Sequence, residues 1–119
     1  MDWIIDKNRP ICPQICEQLC LRVAAGHFVP HGKIPSVREI AVAAGVNPNT
    51  VQRSLEELER RGVLYSVRGS GWFVSEDIAH AKEILSGILA KKTADYFAAM
   101  AVLGLDAAAV KEYVKEWKE

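Results

Sequence analysis

The chain has 119 residues, half of them apolar and a quarter charged, which is the balance of a globular domain and excludes a disordered, collagenous or low-complexity chain. That length buries one modest core with an appendage and leaves no room for a second, substrate-sized domain. Fifteen basic residues against fifteen acidic ones leave no net charge, which argues against a chain that coats nucleic acid by bulk charge.

The charges are unevenly spread. Residues 1–75 hold nine Lys/Arg against seven Asp/Glu, giving +2, and residues 76–119 hold six against eight, giving −2, so a polyanion would approach the first part. The longest uncharged, mostly apolar stretch, Tyr96 to Leu105, is half of the ~20 residues that cross a bilayer. No transmembrane helix and no membrane partner are expected. Asp2 and Asp6 flank the only apolar residues near the start, so the basic and hydrophobic zones of a secretory signal are missing and a cytoplasmic location is expected.

The first helical signal follows Pro10: Ile11, Ile15, Leu19 and Val23 repeat at spacing four, Pro13 lies in the first turn where its missing N–H does no harm, and Gly26 is the stop. Beside that stripe run Cys12, Cys16 and Cys20 at i, i+4 and i+8. An odd number of cysteines stacked on one helix does not make a secreted disulfide framework, and a reducing compartment fits best. No His or fourth Cys is spaced to complete a tetrahedral metal site. The thiols are expected to be small packing residues, with redox sensing as the alternative. His27, His31 and His80 share no ligand spacing, and neither a metal nor a cofactor is implied.

A loop with Pro30, Gly32 and Pro35 leads to Ser36, whose pairing with Glu39 reads as a capping box. Val37, Ile40, Ala41 and Ala44 form the apolar face of a short helix that Gly45 ends. Asn47-Pro48 then supplies an N-cap and a helix-compatible first residue. Two helices joined by residues 45–47 make a tight helix-turn-helix. The second runs from about Pro48 to Arg61 with Val51, Leu55 and Leu58 inward, and Gly62 closes it. Its first two turns carry Asn49, Thr50, Gln52 and Arg53 without a carboxylate, while Glu56, Glu57 and Glu59 follow. A groove would therefore receive the N-terminal half of this helix and not its acidic half.

Val63 to Val67 and Trp72 to Val74 are short β-branched and aromatic runs separated by Arg68-Gly69-Ser70-Gly71, the pattern of a hairpin. Two short strands do not hold together alone in water, so the hairpin must pack on the helices before it. Helix, helix-turn-helix, hairpin is the order of a winged helix-turn-helix. From Glu76 the pattern is helical again through Ile78, Leu85, Ile88 and Leu89, and it continues apolar on every side from Tyr96 through Met100 to Leu103. Gly104 breaks it, and Asp106 caps a last helix whose Val110, Tyr113, Val114 and Trp117 face one way. A segment apolar all round must be covered, and a second copy of the chain is the simplest cover. The expected fold class is mainly α (α+β): a winged helix-turn-helix domain over residues 1–75, then a two-helix dimerisation segment over residues 76–119.

Ile34-Pro35-Ser36-Val37-Arg38-Glu39-Ile40-Ala41, Val46-Asn47-Pro48-Asn49-Thr50-Val51-Gln52-Arg53, Leu58-Glu59-Arg60-Arg61-Gly62-Val63-Leu64 and Gly69-Ser70-Gly71-Trp72-Phe73-Val74, in that order, resemble the GntR family of bacterial transcription regulators over roughly residues 9–75. With only two helices following, the chain is similar to the short YtrA-type subfamily. The resemblance implies a homodimer lacking a large ligand-binding domain, and a repressor of a near-palindromic double-stranded DNA operator, in many relatives that of a neighbouring transporter operon. It places operator contacts on Ser36 and Arg38, on Asn47, Asn49, Thr50, Gln52 and Arg53, and on Arg68, Gly69, Ser70 and Gly71 of the wing. Other branches usually carry an Arg where this chain has Pro48, so that base contact is absent and their operators do not transfer. Dimerisation is assigned to Ile78, Leu85, Ile88, Leu89, Tyr96, Met100 and Leu103.

The chemistry suits those positions. Arg38 presents a fork of donors to phosphate while Ser36 and the free N–H groups of the helix start add positive potential. Gln52 can pair bidentately with adenine and Arg53 with guanine, each such pair worth ~1–3 kcal/mol of discrimination, and either of the two suits the base contact. The glycines of the wing let the backbone approach DNA, leaving Arg68 to reach phosphate or a narrow minor groove. No phosphate loop, nucleophile elbow, paired zinc motif or isolated carboxylate dyad occurs, so an enzyme is not expected. The competing reading is a winged-helix protein-protein interaction module, which would show apolar anchors where residues 49–53 show polar donors. A small-molecule effector would have to act at the dimer seam or between domain and tail, and no residue set specifies one.

Overall fold

The computed structural model describes residues 2–119. Pro10 precedes α1 (Ile11–Ala24), and Pro13 lies in its first turn, where no intrahelical bond is lost. The helix buries Ile15, Leu19 and Val23 together with Cys16 and Cys20, and Cys12 is half-buried. Ahead of it, residues 2–9 fold back along α1 through two glutamines. Gln18 Oε1 accepts the Ile4 N–H at 3.0 Å, and Gln14 Oε1 accepts the Asp6 N–H at 2.8 Å. Farther along the same helix, the buried guanidinium of Arg22 lies 3.8 Å over the Trp3 ring and donates to Gln18 O at 3.0 Å and Asp2 O at 3.1 Å, contacts that together keep a charge tolerable inside.

The helix-turn-helix forms as its sequence dictates. Ser36 Oγ accepts the Glu39 N–H and Glu39 Oε1 accepts the Ser36 N–H, both at 3.1 Å, which starts α2 (Val37–Ala44). Gly45, at φ +69°, ends it, a backbone that side-chain-bearing residues rarely adopt. α3 (Pro48–Arg60) follows and buries Val51, Ser54, Leu55 and Leu58 completely. Each fully buried Leu stabilises the domain by about 1.5–3 kcal/mol.

The wing is an antiparallel pair, β1 (Leu64–Val67) and β2 (Gly71–Val74), in the register Leu64↔Val74, Tyr65↔Phe73, Ser66↔Trp72 and Val67↔Gly71. It is wider than a bare hairpin. Residues 31–34, expected as loop, run antiparallel beside β2: Ile34 N–H donates to Trp72 O at 3.0 Å, and Val74 N–H to Gly32 O at 3.0 Å, with a bridge between Lys33 and Phe73. Glu59 ties β1 to α3 by accepting from both the N–H and the hydroxyl of Ser66, at 3.1 and 3.0 Å. Trp72 packs against the core, whereas Phe73 stacks on Tyr65 with ring centroids 5.6 Å apart.

One compact unit extends to Leu85 and a second covers Ser86–Glu119. The first therefore reaches ten residues beyond Ser75, because Ala81, at the start of α4 (Ala79–Val102), is fully buried in its core and Ile78 and Ile84 pack against the same cluster. The second unit holds the rest of α4 and α5 (Ala107–Glu116), started by Asp106, whose Oδ1 accepts the Ala109 N–H at 2.9 Å. Val110 is buried there, while Leu89, Tyr96, Val102, Leu103, Tyr113, Val114 and Trp117 are exposed. Among the described residues no single helix is long and apolar enough to cross a membrane.

Candidate nucleic-acid interface

Three segments of the first unit carry the residues expected to contact DNA, most of them exposed. At the start of α2, the Ser36 hydroxyl and N–H are both committed to the capping box with Glu39, which leaves the N–H groups of Val37 and Arg38 to face an anion. Arg38 is exposed and makes no ion pair among the described residues. A guanidinium in the first turn of a capped helix is placed to serve a phosphate.

At the start of α3, Asn47 Oδ1 accepts the Asn49 N–H at 2.7 Å. Asn49, Gln52 and Arg53 are exposed, opposite the buried Val51, Leu55 and Leu58, and Thr50 is half-buried between the two faces. Arg53 Nη2 lies 3.5 Å from Thr50 Oγ1, too long to hold it firmly. Gln52 is engaged, since its Nε2 donates to Glu56 Oε1 at 2.9 Å. The carboxylates that follow are also partnered: Glu57 accepts from Arg60 Nε at 2.8 Å and from Arg61 Nε at 2.9 Å, and Glu59 holds Ser66. The Arg60 hydrogen bond, joined by that of Arg61, holds the Glu57 carboxyl down at about 2. Partial neutralisation softens the repulsion that the acidic half of α3 presents to DNA, and leaves the N-terminal half as the electropositive end.

At the wing tip, Arg68, Gly69 and Ser70 are exposed and Gly71 is half-buried. Gly69 has φ +82° and open space where a Cβ would stand, so its role is the turn itself. Ser70 N–H closes that turn on Val67 O at 2.9 Å.

Two cations escaped the sequence reading. Lys7 brings its Nζ beside Gly45, in the turn between α2 and α3, and Lys33 lays its side chain along Gly71, where a Cβ would meet Lys33 Cε at 3.1 Å. Both are exposed. No periodicity points to them, because each is brought in by a fold-back of chain: residues 2–9 over α1, and residues 31–34 beside β2.

Of the residues assigned to dimerisation, Ile78 packs on the core of its own chain, Leu85, Ile88 and Met100 are half-buried, and Leu89, Tyr96 and Leu103 are exposed. Leu89, Tyr96, Phe97 and Val114 line a groove of about 530 Å³ in the second unit, rimmed by Lys92, Lys111 and Lys115. Among the described residues no three His, Cys, Asp or Glu side chains are grouped to hold a metal ion. Burial, reinforced by the neighbouring Cys12, pushes the Cys16 thiol up to about 12, and burial pushes Cys20 up to about 11.

The family of bacterial regulatory proteins named gntR matches residues 13–74. The chain belongs to the GntR family. YhcF of Bacillus subtilis, an uncharacterized HTH-type transcriptional regulator, is 34% identical to this GntR chain over 119 residues, 100% of the chain and 98% of YhcF. The transcriptional repressor YtrA of the same organism is 45% identical over 73 residues, which are 59% of this chain and 54% of YtrA. Among solved structures, a GntR family regulator from Listeria monocytogenes covers 96% of this chain and 100% of its own at 31% identity, with a TM-score of 0.74. The DNA-binding domain of AraR in complex with operator ORE1 covers 63% of this chain and 94% of its own at 27% identity, with a TM-score of 0.54. The GntR resemblance of YtrA type and the mainly α winged helix-turn-helix both stand. Transcription regulation, not catalysis, is the activity class of this GntR chain.

Proposed function

We propose that this GntR-family regulator acts in the cytoplasm as a homodimeric repressor, reading a near-palindromic operator with the N-terminal half of α3. The observation that carries the reading is the exposure of Asn49, Gln52 and Arg53 on a helix whose capped start bears no carboxylate. Amide and guanidinium donors on that surface match base edges in a major groove, and a protein-docking face would need apolar anchors instead. The AraR domain bound to operator supports DNA as the partner. Ser36, Arg38 and Arg68, joined by Lys7 and Lys33, serve the backbone and fix register, while Gln52 and Arg53 read bases.

The unpartnered apolar residues of the second unit support the dimer. A second copy laid on Leu89, Tyr96 and Leu103 removes from water an apolar surface that a monomer would leave exposed. Two recognition helices then lie about one DNA turn, ~34 Å, apart. Three free cysteines suit a reducing compartment.

Selection of duplexes from a random pool by the full chain, followed by a salt titration of the winner, tests this. A clear negative slope of affinity against salt is expected. Arg38→Ala should weaken binding to every sequence and flatten the slope, and Gln52→Ala should relax preference at one base pair. Both variants binding like the parent would overturn the contact assignment.

A further inference from the structure

The α1–α3 seam directly beneath Thr50 and Arg53 is closed by sulfur and hydroxyl groups. Ser54, completely buried on α3, donates its hydroxyl to Thr50 O at 2.7 Å and has Cys12 Sγ at 3.2 Å, while the Cys16 thiol donates to Ser54 O at 3.4 Å. Above this cluster a cleft of about 320 Å³ opens to solvent between Pro10, Ile11, Cys12 and Pro13 on one side and Thr50 and Arg53 on the other. Of the three thiols only Cys12 is exposed enough to face it. The seam therefore couples a reachable nucleophile to two side chains assigned to DNA.

We propose that Cys12 is a modification site, at which a mixed disulfide with a small anionic thiol fills the cleft against Thr50 and Arg53 and lowers operator binding. The inference rests on the DNA reading of α3 given above. The reaction is thiol–disulfide exchange with a low-molecular-weight disulfide. Cys12 Sγ gives its proton to solvent and attacks one sulfur of the disulfide; that S–S bond breaks as the new one forms, and the displaced thiolate takes up a proton. Cys12 is oxidised to the mixed disulfide and the reagent is reduced to one free thiol, so no further oxidant is needed. Cys16 and Cys20 stay out of the exchange because both are buried and protonated. The adduct is therefore not passed on to Cys16.

Two effects follow from an anionic adduct. Its bulk separates α1 from the first turns of α3, and its carboxylates draw the Arg53 guanidinium, held only loosely by Thr50, away from DNA. Reduction by excess thiol reverses both.

The test uses the full chain and a duplex that the reduced protein selects from a random pool, with glutathione disulfide as the probe. One glutathionyl group per chain, mapped by peptide mass to Cys12, should accompany a fall in affinity of about 10-fold to 100-fold, the size of one lost bidentate contact. Dithiothreitol should restore binding. Cys12→Ser, or Cys12→Ala should the serine fail to fold, should bind like the parent and ignore the reagent. A Cys12 adduct with unchanged affinity, a loss of affinity that tracks loss of the helical circular dichroism signal, or a reduced protein that binds its duplex yet takes no adduct at Cys12 would each overturn the inference alone. A reduced chain that selects no duplex would overturn the DNA reading, and the inference with it.

Discussion

Asn47 Oδ1 accepts the backbone N–H of Asn49 at 2.7 Å, and with Pro48 between them the two asparagines fix the residue at which α3 begins. Where α3 begins decides which side chains face outward, since a shift of one position would rotate Gln52 and Arg53 by about 100° around the helix. Asn47→Ala should cost about 1 kcal/mol of stability, the usual loss for an N-cap, measured by urea denaturation. Asn47→Asp keeps the cap and favours the helix N-terminus, yet sets a carboxylate against phosphate. It should unfold at or above the parent's urea midpoint and bind DNA several-fold more weakly; equal affinity would remove Asn47 from the interface.

If Gln52 reads a base as proposed, it does so with one amide N–H tethered to Glu56, to which it donates at 2.9 Å. Glu56→Ala frees the amide and removes a charge that phosphate repels. Exposed polar pairs are worth little, so the gain in operator affinity should be about 2-fold to 5-fold, read by fluorescence anisotropy. A loss of affinity would mean that Glu56 itself accepts from a base.

Acid sensitivity has a local source on α3. The hydrogen bond from Arg60, with that from Arg61, lowers the Glu57 carboxyl from its usual 4.5 to about 2. A carboxyl held lower in the folded state than in the unfolded chain contributes stability that is present above the unfolded value and lost as pH falls toward the folded one. The contribution of Glu57 should therefore fade between pH 4.5 and about 2. Glu57→Gln should flatten the pH dependence of the unfolding midpoint in that window. Part of the dependence should persist through Glu39, whose carboxyl the Ser36 N–H holds below the usual range. A midpoint that varies with pH as in the parent would contradict this source.

Two truncations should behave differently. A chain ending at Leu85 retains Ala81 and the packing of Ile78 and Ile84 on the core, and should unfold cooperatively as a monomer. A chain ending at Ser75 loses all three and should be less stable by about 2–4 kcal/mol, given the apolar area uncovered. Equal urea midpoints would show that the start of α4 contributes nothing to the first unit. A tight-binding dimer formed by either truncation would contradict the proposed role of the second unit.

Local grammar made most of this fold legible. Ser36 with Glu39, Gly45, Asn47-Pro48 and the glycines around Ser70 each specify a boundary by chemistry within four residues, and the structure keeps all of them. Contacts made across the chain were not legible. The pairing of residues 31–34 with β2, the grip of Gln14 and Gln18 on residues 4–6, and Arg22 over Trp3 involve groups whose sequence neighbourhood gives no periodicity. The same blindness hid Lys7 and Lys33, and hid the partnering of the three glutamates at 56, 57 and 59. The packing of the start of α4 on the first unit was not legible either, because Ala81, which fills that core, is small and carries no pattern.

Residues 47–53 are proposed to meet DNA. Amide chemical-shift mapping of the ¹⁵N-labelled full chain against its selected duplex tests it most directly. The largest changes should fall on residues 36–38, 47–53 and 68–71, with Lys7 and Lys33 beside them, while exposed Val29 and the α5 residues Tyr113 and Val114 stay unmoved by contact. Changes confined to α1 or α5, with Asn49, Gln52 and Arg53 silent at saturating DNA, would contradict DNA reading by α3.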